Sequence, residues 1–199
     1  LLGYSMSNKS GDHPKNLEAR MLHVLRGLMD WIEHAPPDVG AQTRQALAIG
    51  RLQGGVTAWT QSGFDAAGNG GLMRIAAVLI AGFKEEALDR ETALVTALTH
   101  PDPRCVAASV FLNAFLELLD TLPYAAAAHG AFQRMAALNL HTLMLEAQLF
   151  DIDSKKAYQT FKDRERQAKA EVKRCVLNAL AGDYTSQSGY VLHTLEAAV

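Results

Sequence analysis

The chain has 199 residues, a length that suits one domain, and its 49% hydrophobic and 20% charged residues are typical of a globular protein with a sizeable core. Its net charge is −2, from 19 basic and 21 acidic residues. This balance gives no electrostatic basis for binding nucleic acid or an anionic membrane surface, so neither is expected as a partner.

Apolar residues recur at helical spacing along most of the chain, and this pattern predicts a compact all-α protein. The predicted helices cover residues 14–35, 39–53, 72–82, 89–98, 102–119, 123–149, 153–180 and a last stretch from 188. Asp38, Asp89 and Asp102 are predicted N-caps, and Gly182 is a predicted C-terminal stop. Residues 54–70 are predicted to form the longest loop, because a pair of glycines interrupts the helical pattern there.

Other features of the sequence argue against a β-sheet protein, a disulfide-rich protein and a membrane-spanning protein. Runs of alternating β-branched residues are absent, so no sheet of three or more strands is expected. The segment 162–174 is charged on most of its circumference, which is typical of a solvated surface helix. The two cysteines, Cys105 and Cys175, suggest neither a disulfide framework nor metal-ligand spacing. The longest apolar run, 75–83, is too short to span a bilayer, and no secretory leader is visible, so a reducing cytoplasmic location is expected.

A glycine-rich stretch directly precedes the predicted helix at 72–82. Gly68, Gly70 and Gly71 surround Asn69. The first N–H groups of a helix lack internal partners and carry partial positive charge, so a glycine loop at this position can let an anion approach the backbone closely. The alternative is a tight turn that allows close helix packing, and the motif by itself does not decide between them.

Few other residues have a pattern that indicates chemistry. His100 ends a predicted helix, where it can interact with the helix dipole or donate a hydrogen bond to a ligand. Tyr190 can belong to the core or to a pocket wall, and Asp65 precedes the glycine cluster by three residues. The spacing defines no pair of catalytic carboxylates, no Ser–His–Asp triad, no Walker-type lysine and no Cys/His metal cluster.

Four short motifs, taken together, resemble a known family. In chain order they are DVGAQTRQAL at 38–47, DAAGNGGLMRIA at 65–76, THPDP at 99–103 and SGYVLHTLEAA at 188–198. This succession is similar to that of the ADP-ribosylglycohydrolases, which include the dinitrogenase reductase-activating glycohydrolases. The resemblance implies the orthogonal helical bundle of that family, in agreement with the helical periodicity.

The resemblance also implies a function. Family members hydrolyse the glycosidic bond at the terminal ribose of ADP-ribose, typically on an arginine or serine side chain, with two magnesium ions beside that ribose. The expected partner is therefore an ADP-ribosylated protein or a small ADP-ribosyl substrate. The matched ligand-binding positions are Asp65, Gly68, Asn69, Gly70, Gly71, His100 and Tyr190.

The sequence departs from the family where the metal ligands are expected. The N-terminal Asp-Asp-Thr motif and the C-terminal Gly-Asp-x-Asp-Thr motif are both missing. Leu2–Gly3 resembles the remnant of an opening family motif, the segment 182–185 is only superficially similar to the second metal motif, and Ala41 stands where the family has an asparagine. No residue of the given sequence is assigned as a metal ligand or as catalytic.

Two hypotheses follow from this departure. In the first, residues 1–199 are a single ADP-ribosylglycohydrolase-like domain that is incomplete at its N- and C-terminal metal-binding segments, as the non-methionine start suggests. In the second, the protein is a metal-free relative without catalytic activity that binds ADP-ribose or has a structural role.

Overall fold

The fold is built from α-helices in the part of the chain that the computed structural model describes, residues 16–183 and 188–199. The helices are α1 (Leu17–Glu33), α2 (Ala41–Ala48), α3 (Gly54–Gln61), α4 (Ala76–Ile80), α5 (Glu85–Ala97), α6 (Pro103–Leu118), α7 (Tyr124–Ala137), α8 (Leu140–Glu146), α9 (Lys155–Leu180) and α10 (Val191–Ala198). Short 3-10 turns cover Leu72–Arg74 and Ile152–Ser154. The described residues form no strand, and the predicted all-α fold is confirmed.

Helix α6 is the centre of the structure. It packs against α5, α7, α9 and α10, and it also contacts the turn Leu72–Arg74. No residue of α6 is exposed, and its side chains are mostly apolar on every side. A helix that is apolar all round is stable only when other elements cover it completely. Helices α5, α7, α9 and α10 therefore cover α6, and the other helices pack outside them or at their ends.

The N-terminus of α6 has the predicted cap. The Asp102 side chain accepts a hydrogen bond from the backbone N–H of Arg104 at 3.0 Å, and Pro103 occupies the first helical turn. Gly182 has a φ of 85°, the left-handed conformation expected of a glycine that follows a helix, as predicted. The first predicted helix is also present, with Asn16 as its N-cap. Pro14 lies outside the described residues.

Two predicted caps are wrong. Helix α2 begins after Gly40 and not after Asp38. Helix α5 begins at Glu85, so Asp89 lies in its second turn, where its carboxylate accepts hydrogen bonds from Arg134 of α7 at 2.7 and 2.8 Å. Asp89 thus pairs with a distant arginine instead of capping a helix.

The predicted long loop at 54–70 is also wrong, because its first half is helix α3. The glycines that suggested a break are required by close packing. A Cβ atom on Gly55 would lie 2.5 Å from the carbonyl oxygen of Ala97 and 2.7 Å from that of Leu98. Only glycine lets the start of α3 come this close to the end of α5.

The predicted helix at 123–149 is interrupted. Leu138 is extended, so the segment is divided into α7 and α8. The carboxylate of Glu165, in α9, accepts hydrogen bonds from the backbone N–H groups of Leu140 and His141, both at 3.1 Å. It also binds His141 Nδ1 and Lys169 Nζ, each at 2.7 Å. The N-terminus of α8 is therefore capped by a residue from another helix.

The charged helix α9 lies at the surface, as predicted, but one stripe of it is buried. Its buried positions recur every three or four residues from Ala157 to Ala179, and the other positions are mostly exposed or half-buried. Glu165 is the charged member of this buried stripe. None of the helices in the described residues is long and apolar enough to cross a membrane.

The contact of α3 with α5 can be tested by a pair of glycine variants. We expect Gly55→Ala to lower the free energy of unfolding by about 1–3 kcal/mol, because its Cβ would overlap two carbonyl oxygens. Gly27→Ala is the matched control, since a Cβ on Gly27 in the middle of α1 would meet no atom within 4 Å. It should raise stability by about 0.5–1 kcal/mol through helix propensity. Equal effects of the two variants in urea unfolding would contradict the close approach.

Candidate functional site

The glycine loop lies against the segment that precedes α10. The N–H of Asn69 donates to the carbonyl of Gly189, and the N–H of Val191 donates to the carbonyl of Ala67, both at 2.9 Å. These bonds form an isolated antiparallel bridge between Gly68 and Tyr190. Two motifs that are far apart in the sequence are thus joined by backbone hydrogen bonds.

Side chains hold the two sides of this bridge in place. Asn69 Nδ2 donates to Thr194 Oγ1 at 2.9 Å, which ties the loop to α10. The thiol of Cys105, in α6, lies 3.4 Å from the Gly68 carbonyl oxygen, and the thiol of Cys175, in α9, lies 3.1 Å from the Leu192 carbonyl oxygen. Burial raises the pKa of both thiols, that of Cys175 to about 12.

Two glycines of the loop are in close contact with His100. A Cβ on Gly70 would lie 3.1 Å from His100 Nε2 and 3.2 Å from Thr43 Oγ1. A Cβ on Gly71 would lie 3.0 Å from the Thr96 methyl carbon and 3.3 Å from His100 Cβ. Close packing is therefore a sufficient reason for glycine at these positions, whether or not the loop also binds an anion.

His100 is buried just beyond the end of α5, with 2% of its surface exposed. Its Nδ1 lies 2.8 Å from Thr99 Oγ1. Burial and, to a lesser extent, the positive charge of Arg74 lower the pKa of His100 to about 3. His100 is consequently neutral at physiological pH, and a neutral imidazole has one nitrogen that donates and one that accepts.

Arg74 links the glycine loop to His100. Its Nη1 donates to the Gly70 carbonyl at 2.6 Å, and its Nη2 donates to Thr99 Oγ1. Its Nε is buried without a hydrogen-bond partner, and no carboxylate of the described residues forms an ion pair with it. Burial lowers the pKa of Arg74 to about 10, so the side chain still carries its positive charge at neutral pH.

A cleft of about 850 Å³ opens beside these residues. The glycine loop, Arg74 and His100 form one wall. The end of α1 and the segment that leads into α2 form the other. The lining residues are Gly27, Leu28, Asp30, Trp31, His34, Asp38, Val39, Gly40, Ala41, Gln42, Thr43, Gly68, Asn69, Gly70, Met73, Arg74, His100 and Gly189.

Asp65 and Tyr190 lie elsewhere, around Arg104. The guanidinium of Arg104 contacts Asp65 Oδ1 at 3.4 Å, the Tyr190 hydroxyl at 3.5 Å and Asp102 Oδ1 at 2.9 Å. The Asp65 side chain is 87% exposed and borders a second groove, of about 460 Å³, beside α9. Burial raises the pKa of Tyr190.

The predicted site residues therefore separate into two groups. Gly68, Asn69, Gly70 and His100 line the cleft, and Gly71 is buried behind them. Asp65 and the Tyr190 side chain meet at Arg104, although the Tyr190 backbone pairs with the loop.

Two arginines of this region do not belong to the predicted site residues. Arg74 comes four residues after Gly70, and Arg104 directly follows the THPDP motif. A cation beside a predicted anion-binding loop is the signal that would have identified Arg74. No comparable signal identifies Arg104, because two of its three partners, Asp65 and Tyr190, come from distant parts of the sequence.

The described residues do not fit a two-magnesium site by themselves. Within 16–183 and 188–199, no group of three or more His, Cys, Asp or Glu side chains is arranged to hold a metal ion. The cleft contains the carboxylates of Asp30 and Asp38, whereas magnesium requires a near-octahedral set of oxygen ligands. Leu2–Gly3, Tyr184 and Thr185, considered in relation to the metal motifs, lie outside the described residues.

Comparison with known proteins identifies the family. The family model described as ADP-ribosylglycohydrolase matches residues 2–199, essentially the whole chain. No curated protein and no solved structure gave a significant match. The chain therefore belongs to the ADP-ribosylglycohydrolase family, which confirms the resemblance of its motifs.

The buried neutral state of His100 predicts how stability depends on pH. The unfolded chain binds a proton at His100 below pH about 6.5, whereas the folded chain does so only near pH 3. The contribution of His100 to stability should therefore fall as pH decreases from 6.5 to 4, by up to about 1.4 kcal/mol per pH unit. In urea unfolding, the stability difference between the wild type and His100→Gln should change by this amount.

The exposed His129 is the control for this measurement, since its ring contacts Gln133 on the surface of α7. The profile of His129→Gln shows how far the loss of a surface histidine by itself changes the stability. Parallel pH profiles of the wild type and His100→Gln would show that His100 binds a proton over the same pH range in the folded and unfolded chains, which contradicts its lowered pKa.

Proposed function

We propose that this member of the ADP-ribosylglycohydrolase family binds the ADP-ribosyl group in its large cleft and hydrolyses the glycosidic bond between ADP-ribose and a protein side chain, or a related ADP-ribosyl substrate. The observation that carries the proposal is the combination of the glycine loop, a neutral buried His100 and the charge of Arg74 at one wall of the cleft. The family match supports hydrolysis of ADP-ribosyl substrates in general.

The size of the cleft and the charge of Arg74 beside the glycine loop support an anionic nucleotide-like ligand. Its volume of about 850 Å³ falls within the range of sites that bind small molecules and cofactors. A diphosphate carries negative charge that a buried guanidinium without a carboxylate partner can neutralise. Arg74 has this property among the described residues.

The loop can contribute backbone donors to the same ligand. No described residue accepts a hydrogen bond from the N–H of Gly70, which lines the cleft. In the proposal, Gly68, Gly70 and His100 contact the ligand directly. Asn69 and Gly71 position the loop, through Thr194 and through close packing on His100. Asp65 and Tyr190 would contact only a ligand that extends past the loop to Arg104.

Dependence on magnesium stays a prediction from the family resemblance. The described residues gather no set of metal ligands, so no step of the reaction is assigned to them through a metal ion. The same observation favours a second candidate function, a relative that binds ADP-ribose without hydrolysing it. Binding and turnover therefore need separate experiments.

The binding test compares two arginine variants. We expect isothermal titration calorimetry to detect ADP-ribose binding by the wild type, and Arg74→Gln to weaken it about tenfold or more, because a charge-assisted contact to the diphosphate is lost. Arg90→Gln is the control, since Arg90 forms a partly exposed ion pair with Glu146 on another face of the protein. Equal affinities of Arg74→Gln and the wild type for ADP-ribose would contradict the proposal that the diphosphate binds at this wall of the cleft.

The turnover test uses proteins that carry ADP-ribose on arginine or on serine, each assayed with magnesium or with EDTA. If the protein is a magnesium-dependent hydrolase, we expect it to release free ADP-ribose in the presence of magnesium and none in EDTA. Binding of ADP-ribose with no release from either substrate supports the non-catalytic alternative. Release that persists in EDTA contradicts the dependence on magnesium.

A further inference from the structure

A continuous chain of hydrogen bonds runs from the glycine loop to His100. Arg74 donates to the Gly70 carbonyl and to Thr99 Oγ1, and Thr99 Oγ1 lies 2.8 Å from His100 Nδ1. Thr99 is fully buried. The directions of these bonds follow from the chemistry of the groups, because a guanidinium can only donate.

The Thr99 hydroxyl hydrogen has one destination within the described residues. Its oxygen accepts from Arg74, and its remaining hydrogen-bond contact is His100 Nδ1. A buried hydroxyl donates its hydrogen to an available acceptor, since leaving it unpaired is costly. Thr99 therefore donates to Nδ1, and Nδ1 is an acceptor without a hydrogen.

This direction determines which nitrogen of His100 carries the hydrogen. Because the imidazole is neutral and Nδ1 accepts, the hydrogen is on Nε2. Nε2 faces the glycine loop, as a Cβ on Gly70 would lie 3.1 Å from it and one on Gly68 would lie 3.7 Å from it. No described residue accepts a hydrogen bond from Nε2.

We infer that Arg74 and Thr99 are positioning residues that hold His100 as its Nε2–H tautomer, so that the cleft offers a neutral N–H donor to a phosphate or ribose oxygen of the ligand. The ligand in this statement rests on the proposed function. The opposite tautomer would direct a nitrogen lone pair at those oxygens and would repel them. Because the tautomer is already fixed before binding, the free energy of binding is not reduced by the cost of selecting it.

The direct test is the ¹⁵N spectrum of the histidine rings in the ligand-free protein, with the His100 signals assigned by their loss in His100→Gln. We expect Nδ1 to resonate as the unprotonated nitrogen and Nε2 as the protonated one between pH 6 and 8. The reverse pattern in the wild type would overturn the inference without any further variant.

Thr99 variants test the cause of the tautomer preference. Thr99→Val removes the hydroxyl at nearly constant volume, so both tautomers of His100 should appear and ADP-ribose should bind about tenfold more weakly. Thr99→Ser keeps the hydroxyl and should restore both properties. Thr57→Val is the control, since the Thr57 hydroxyl bonds only within α3, to the carbonyl of Gln53. An unchanged tautomer in Thr99→Val would overturn the role of Thr99.

Arg74→Gln provides an independent variant if Thr99→Val fails to fold. It keeps one amide donor for the Thr99 hydroxyl oxygen but removes the charge and the second donor, so the Nε2–H tautomer should persist while the affinity for ADP-ribose falls. Loss of the tautomer in this variant would show that the charge, and not the hydrogen-bond direction, determines it. If the wild type has the expected tautomer but does not bind ADP-ribose, the proposed ligand is wrong and the tautomer assignment is supported.

Discussion

The buried carboxylate of Asp102 makes the hydrogen bonds that hold together the elements around the cleft and the second groove. It is 1% exposed, and it caps α6 while accepting a hydrogen bond from Trp59 Nε1 of α3 at 3.2 Å. It also holds the guanidinium of Arg104, which reaches Asp65 and Tyr190. One buried negative charge thus connects the central helix, the helix before the glycine loop and the segment after α9. A charge this deeply buried is tolerated because each of its contacts is a donor.

The bridge between Gly68 and Tyr190 separates two environments of different character. On the cleft side, His100 is neutral and Arg74 has no carboxylate partner in the described residues. On the other side, the charge of Arg104 is balanced by two aspartates, Asp102 and Asp65. Both sides contain an arginine near the loop, but on the cleft side the arginine has no carboxylate of the described residues in contact with it, and the carboxylates of Asp30 and Asp38 belong to the opposite wall.

The sequence predicted those parts of the fold whose causes are local. Helix α6 was predicted well, because its Asp-Pro start and its apolar composition are readable within a few residues. Asp89 was assigned as a cap because its partner, Arg134, comes 45 positions later. The break between α7 and α8 was missed for the same reason, since Glu165, which caps α8, lies in α9. The sequence predicts a helix break at Gly55, whereas Gly55 is a contact point of two helices.

The same distinction applies to the candidate site. The motifs predict the loop and His100 as ligand-binding positions, which line the same cleft, but they could not show that Asp65 faces a different groove from Gly70. Residues that are neighbours in a motif can lie on opposite sides of the bridge between Gly68 and Tyr190, because the side of the protein that the chain faces changes within a few residues. The position of Arg74 four residues after Gly70 is readable from the sequence, but its lack of a carboxylate partner among the described residues is not.

The two thiols that contact the segments joined by the bridge can report when this region opens. Cys105 and Cys175 are the two cysteines of the sequence, and both are buried. Cys105 contacts the carbonyl of Gly68 in the glycine loop, and Cys175 contacts the carbonyl of Leu192 in α10. A thiol with a raised pKa and no access to solvent reacts with alkylating agents only when the surrounding structure opens. The rate of alkylation at each cysteine therefore measures how often the glycine loop and α10 detach from the core, without any added label.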